Sequence, residues 1–188
     1  MDKLVLDIET KNTFAEVGGQ ENIHKLEVSF VGVYSYNQNQ YFSFFENELD
    51  KLGPMLQSAG LIIGFCSNRF DLPVLKKHYK FNIMSLESLD ILEEIEERLG
   101  HRISLNELAY ANLRTQKTAH GLEAIKFYKE GRLEELKKYC LNDVKITKDL
   151  YDLGMSQGHL VVPQRTTGEM QKVEFDWHTR LPSASTLF

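Results

Sequence analysis

Two acids with one residue between them, Asp7 and Glu9, close the apolar run Leu4-Val5-Leu6-Asp7-Ile8-Glu9-Thr10. Side chains of a strand alternate between its faces, so Asp7 and Glu9 share one face while Leu4, Leu6 and Ile8 share the other. Two carboxylates ~4 Å apart repel by about 4 kcal/mol at an effective dielectric of about 20. A divalent cation held by oxygen ligands removes that cost, and hydrolytic sites use Mg²⁺ or Mn²⁺ in this way. Other acid-x-acid pairs occur at Glu46/Glu48, Glu94/Glu96 and Glu174/Asp176, but only Asp7/Glu9 ends an apolar strand. A solvated strand end is the plain alternative.

Two later segments offer partners. Ile62-Ile63-Gly64-Phe65-Cys66-Ser67-Asn68-Arg69-Phe70-Asp71 reads as a buried strand entering a tight loop, with Asp71 where the loop becomes a helix. An ordinary N-cap, worth ~1 kcal/mol, is the alternative there. Tyr139 and Asp143 lie four residues apart on the longest helical pattern, so they point the same way one turn apart. Asp143 sits among Cys140, Val144 and Ile146, on a face that borders the core. Aspartate within a helix has poor propensity and needs compensation, which a hydrogen bond to a backbone group would also supply.

The elements that must position these residues follow from periodicity. Residues 2–9, 27–36 and 40–45 read as strands, the last two joined by the hairpin turn Asn37-Gln38-Asn39, which together suggest a meander. Residues 61–65 read as a buried central strand. Helical spacing covers 47–59 (weakened at Gly53-Pro54) and 72–78, where Asp71 is expected as N-cap and Pro73 falls in the first turn. A short strand is expected to end near Asp90, itself a further strand-end acid. Helices then cover 92–99, a stretch opened by the capping box Ser104-Leu105-Asn106-Glu107, 122–128 and 133–153. Glu93, Glu94, Glu96 and Glu97 read as a solvated helix face. The polar segment 164–188 is open between an arm, an edge strand and disorder. Strands first, then helices mixed with further strands, predict an α/β fold with a mixed sheet.

With 188 residues there is room for one well-formed core. The 42% hydrophobic and 26% charged residues describe an ordinary globular domain. No apolar run reaches the roughly 20 residues of a membrane span. The first residues enter a strand directly, so no secretory signal is expected. Cys66 and Cys140, two distant cysteines, predict reduced thiols and a cytoplasmic setting. A net charge of −5 does not advertise a nucleic-acid surface. It does not exclude one, because acids gathered at a metal site become locally positive once cations bind.

Taken together and in this order, Asp7-Ile8-Glu9, Phe70-Asp71 and Tyr139-x-x-x-Asp143 resemble the DEDD-type 3′–5′ exonucleases of the ribonuclease H-like superfamily. Tyr four residues before the last Asp, with Lys138 where the other subclass has His, looks like the tyrosine subclass. The resemblance covers roughly residues 2–155. It implies a three-layer α/β/α fold whose first three strands are antiparallel, over residues 1–160, with 161–188 as an extension of unassigned role. Many members carry Asn early in the second-motif loop; here Cys66 takes that place and Asn68 follows two residues later. That departure touches the substrate contacts of the loop rather than the metal site. Segments 18–26 and 104–131 look closest to stand-alone or helicase-associated bacterial and archaeal members, which makes a helicase or repair partner an expectation.

The resemblance implies two divalent cations, Mg²⁺ or Mn²⁺, held by Asp7, Glu9, Asp71 and Asp143, with Tyr139 orienting the attacking water. The partner is then the 3′ end of single-stranded DNA or RNA, and the product a nucleoside 5′-monophosphate. Bases stack on aromatic faces and phosphates pair with Lys or Arg. Thr10, Phe14, Arg69 and Phe70, next to the acidic motifs, are candidates for gripping the terminal nucleotide, although Phe14 and Phe70 also suit a core. Lys117 and His120, before a helix, are candidates for phosphate. Competing expectations are a non-cutting nucleic-acid-binding or helicase-partner module of the same fold, and a ribonuclease H-like endonuclease.

Overall fold

The computed structural model describes residues 1–115, 121–164 and 167–180. The first three strands, β1 (Asp2–Thr10), β2 (Val28–Ser35) and β3 (Gln40–Phe45), form an antiparallel meander. Between β1 and β2 lies a short helix, α1 (Phe14–Val17), opened by a Thr13/Glu16 capping box. Helix α2 (Leu49–Ser58) follows, and then β4 (Ala59–Gly64) runs parallel to β1. Gly53-Pro54 does not break α2, because Leu49, Leu52 and Leu56 are all buried and tertiary packing outweighs local propensity. After α3 (Asp71–Leu75), the short β5 (Ser88–Asp90) pairs parallel with β4. The mixed five-stranded sheet has the order β3-β2-β1-β4-β5.

Four helices come next in the chain: α4 (Ile91–Leu99), α5 (Leu105–Leu113), α6 (Gly121–Lys129) and the long α7 (Leu133–Gln157). A hairpin of β6 (His159–Pro163) and β7 (Met170–Glu174) ends in a helical turn, Trp177–Arg180. The sequence left 164–188 open; of its described residues, Val173, Phe175 and Trp177 are buried with Leu160 and Val162 in one apolar cluster that includes Val5, Leu61 and Ile63.

Strand alternation divides the core into two layers. Leu4, Leu6, Ile8, Val31, Val33 and Ile62 pack on one face with residues of α2 and α3. Val5, Tyr34, Leu61 and Ile63 pack on the other with α4, α5, α7 and the hairpin. Asp7 and Glu9 therefore share the face of Val5, toward α7. Among the described residues, no helix is long and apolar enough to cross a membrane.

The row of acids on α4 departs from the solvated face expected of it. Glu94 is buried and pairs with Arg98 at 3.0 Å, while Glu93 and Glu96 face Arg69. Amphipathic spacing alone did not reveal that arginines arrive from both its own helix and the loop before α3.

Candidate active site

The outer end of β1 carries the first two acids because of where its ladders stop. Pairing with β4 ends at Val5↔Ile63, whereas pairing with β2 continues through Asp7↔Gly32 to Glu9↔Phe30. Beyond that fork the Ile8 N–H donates to Asp71 Oδ1 at 2.9 Å. Asp71 is thus the first residue of α3, with Phe70 as N-cap, and not the N-cap expected. Its carboxylate ties a distant strand to the start of α3.

The loop delivering Asp71 hangs on Asp90. Asp90 Oδ1 accepts the Cys66 N–H at 2.8 Å and Oδ2 the Asn68 N–H at 3.0 Å, while Oδ1 also caps α4 through Leu92 and Glu93. The hydrogen bonds offset a burial that raises its pKa. Asp90 is a buried strut for the loop, a role visible beforehand only as an acid just ahead of a helix.

Helix α7 meets β2 closely because residue 32 is glycine. A Cβ there would lie 2.9 Å from Val144 Cγ2 and 3.1 Å from Cys140 Sγ. This approach brings the Cys140 thiol to 3.4 Å from both the backbone oxygen and Oδ2 of Asp7. Tyr139 and Asp143, on the same buried side of α7, are 4% and 3% exposed.

Asp7, Glu9, Asp71, Tyr139 and Asp143 all line one cleft of about 560 Å³. Phe14, Arg69 and Phe70 line it too, together with Cys66 and Arg102. Phe14 and Phe70 meet edge to face at 5.8 Å and pack against the α2–α3 core while also lining the cleft. Arg69 reaches Glu96 at 2.6 Å and Glu93 at 3.7 Å. Thr10 is buried, donates to the Asn12 carbonyl at 2.9 Å, and lines a neighbouring apolar cleft of about 380 Å³ instead. That second cleft shares Glu9, Phe14 and Phe70 with the first and adds Leu122 and Ile125. Lys117 and His120 lie outside the described residues.

Burial and mutual charge shift the titration of groups along the acidic wall. Burial, and then the charge of Asp7, push the Asp71 carboxyl well above the usual carboxylate range. Burial, Asp7 and Glu9 likewise push the Cys140 thiol up, keeping it neutral. Ligand atoms of Asp7, Glu9 and Cys140 all lie within 4.8 Å of one another. Carboxylate oxygens dominate the set, which fits a hard divalent cation such as Mg²⁺ or Mn²⁺. Cys140 escaped the sequence analysis, where it read as one more apolar position of α7.

Comparison with known proteins agrees with this architecture. The family B DNA polymerase from the hyperthermophilic archaeon Pyrobaculum calidifontis superposes with a TM-score of 0.63 at 16% identity, covering 82% of this chain and 24% of the polymerase. Trypanosoma brucei RNase D superposes with a TM-score of 0.58 at 15% identity, covering 80% of this chain and 56% of that one. The chain thus spans about a quarter and about half of these two structures, and at such identities the likeness is one of fold. No curated protein sequence matches the chain. The RNase_H superfamily matches residues 4–154, most of the chain and every element that lines the acidic cleft. The chain belongs to the RNase_H superfamily.

Proposed function

We propose that this chain is a metal-dependent 3′–5′ exonuclease that shortens single-stranded DNA or RNA from its 3′ end and releases nucleoside 5′-monophosphates. One observation carries the reading. Four acids and a tyrosine from β1, α3 and α7 line a single cleft, and burial with the charge of Asp7 raises the Asp71 carboxyl there. A catalytic constellation of this kind is stabilised by the ligand it is built to take.

Asp7, Glu9, Asp71 and Asp143 are the residues that would hold two Mg²⁺ or Mn²⁺ ions. Such ions, when bound, acidify water and neutralise charge developing on phosphate oxygens. The rest falls to the chain itself. Tyr139, rigid on a buried helix face, offers a phenolic hydroxyl that orients the attacking water by hydrogen bonding. Phe14 and Phe70 present apolar faces on which a terminal base stacks. The Ile8 N–H holds Asp71 in place, so positioning does not depend on substrate.

A time course on matched 3′-labelled and 5′-labelled DNA and RNA strands, with Mg²⁺, Mn²⁺ or chelator, tests activity, polarity and sugar preference together. Mononucleotide released from the 3′ label first, only with cation, is the expected result. Asp7→Ala should abolish it without loss of fold, and turnover by that variant at the wild-type rate would overturn the reading. Cleavage of a circular strand would point to an endonuclease.

A further inference from the structure

We propose that Lys25, Lys76 and Lys77 form a basic rim beside the acidic cleft that holds the phosphates of nucleotides upstream of the 3′ end. The inference rests on the exonuclease reading for its ligand, a single-stranded nucleic acid, and adds where the rest of the strand lies.

Two short elements bring these lysines together. The helical turn Gln20–Lys25 follows α1, and the turn Lys76–His78 continues α3. The Lys77 ammonium spans them, donating to the Leu26 carbonyl at 2.6 Å and to the His24 carbonyl at 3.4 Å. Lys25 lies between those two acceptors in the chain, Lys76 precedes Lys77, and all three lysines are exposed. Carbonyl acceptors fix an ammonium in place without offsetting its charge.

The acids of the neighbourhood are engaged elsewhere. Glu27 and Glu46 meet Lys11 at 3.6 and 2.5 Å. The Glu21 carboxylate folds back against Gly19. Lys51, Lys126, Lys129, Lys145 and Lys148 each pair with a carboxylate, whereas among the described residues none stands at ion-pair distance from Lys25, Lys76 or Lys77. The chain as a whole has 27 acids against 22 lysines and arginines, so this rim is a local reversal of its sign and attracts a polyanion.

Position joins the rim to the site. Gln20 and Ile23 of the first turn line the acidic cleft, and Leu26, just past Lys25, lines the neighbouring apolar one. Helix α3 begins at Asp71 in the cleft wall and leads to Lys76, about 8 Å away along the axis at a rise of about 1.5 Å per residue. A strand whose 3′ end sits at the acids thus has its next phosphates within reach of the rim. An acidic protein would match the same charge, but it would not require a rim continuous with the cleft.

The test is the affinity of the full chain, with Ca²⁺ in place of Mg²⁺, for a dinucleotide and for a fluorescent single strand of about twelve nucleotides, across a salt series. Lys25→Gln and Lys76→Gln are combined in one variant, and Lys77 is left intact because it ties the two turns. The double variant is expected to bind the long strand about twentyfold more weakly at about 0.1 M salt. Its slope of log affinity against log salt should fall by about 1.4, the share of two phosphate contacts on a single strand. The dinucleotide, whose one phosphodiester lies at the acids, should lose far less. An unchanged slope for the long strand, or an equal loss for the dinucleotide, would overturn the proposal. Polyglutamate of matched charge that displaces the long strand as readily as unlabelled strand does would overturn it in favour of an acidic protein partner. A long strand held through these lysines yet never shortened with Mg²⁺ or Mn²⁺ overturns the exonuclease reading alone. Shortening of the strand together with an unaltered slope in the double variant overturns this inference alone, and a chain that binds no strand overturns both.

Discussion

The Ile8 N–H donates to the carboxylate of Asp71 at 2.9 Å, tying the residue between Asp7 and Glu9 to an acid 63 positions away. The bond holds Asp71 beside Asp7, whose charge together with burial raises the Asp71 pKa well above its ordinary value. A raised carboxyl binds its proton more tightly in the folded state than in the unfolded one. Metal-free stability therefore declines as pH rises from the ordinary carboxylate range through the raised value. Asp71→Asn keeps an oxygen for the Ile8 amide and removes the charge. At neutral pH with chelator it is expected to melt at or above the wild-type temperature, while cleavage falls about a hundredfold or more. The rise in melting temperature on adding Mg²⁺ or Mn²⁺ should shrink in the variant. A rise equal to that of wild type would count against Asp71 as a ligand.

Gly32→Ala tests the approach of α7 to β2. Its Cβ would stand 2.9 Å from Val144 and 3.1 Å from Cys140, so the helix must shift or the side chains repack. Overpacking of this kind costs about 1–3 kcal/mol. Because the same turn of α7 carries Tyr139 and Asp143, activity should fall further than stability predicts, measured at a temperature where both proteins are fully folded. Full activity in a destabilised variant would show that the site tolerates displacement of α7.

Acid should loosen α1 from α6. Glu16 accepts from Lys129 at 2.6 Å and from Thr13, which hold its pKa down at about 2 against an ordinary value of 4.5. A depressed carboxyl contributes stability above its unfolded value, and that contribution is lost as pH falls from about 4.5 toward about 2. Glu16→Gln should show a shallower decline in melting temperature over that window. The pair is exposed, so added salt should also narrow the difference. Equal pH profiles for the two proteins would contradict the assignment.

Trp177→Ala should destabilise the whole molecule and not only its last residues. The indole stacks on Phe175 at 4.4 Å and on Tyr151 of α7 at 5.7 Å, and it is 2% exposed. Emptying such a site costs about 3–5 kcal/mol. A urea transition followed by far-ultraviolet circular dichroism should move as one cooperative step to lower midpoint. An unchanged midpoint would mean that the hairpin does not share the core.

Local pattern made much of this legible in advance. The meander, the buried β4, the Ser104 capping box and the long α7 follow from periodicity and capping, which act over a few residues. What escaped depends on contacts between distant segments. Asp71 reads as a cap because the Ile8 amide that claims it is invisible locally. Glu94 reads as solvated because Arg98 supplies a partner and the hairpin carbonyl of Glu174 holds that arginine in turn. The hairpin itself has two short strands separated by a polar loop, too little pattern for periodicity to register until Trp177 closes it onto Tyr151. Cys140 reached the acidic group only through the glycine on a neighbouring strand.

Trp177 is the chain's single indole, and it is absent from the walls of the acidic cleft. Long-wavelength intrinsic emission therefore comes from one chromophore packed between two other rings. Its red shift on denaturation reads out loss of the interior directly, while cation or oligonucleotide titrations leave the signal silent unless the scaffold itself rearranges. The fold carries its own optical control.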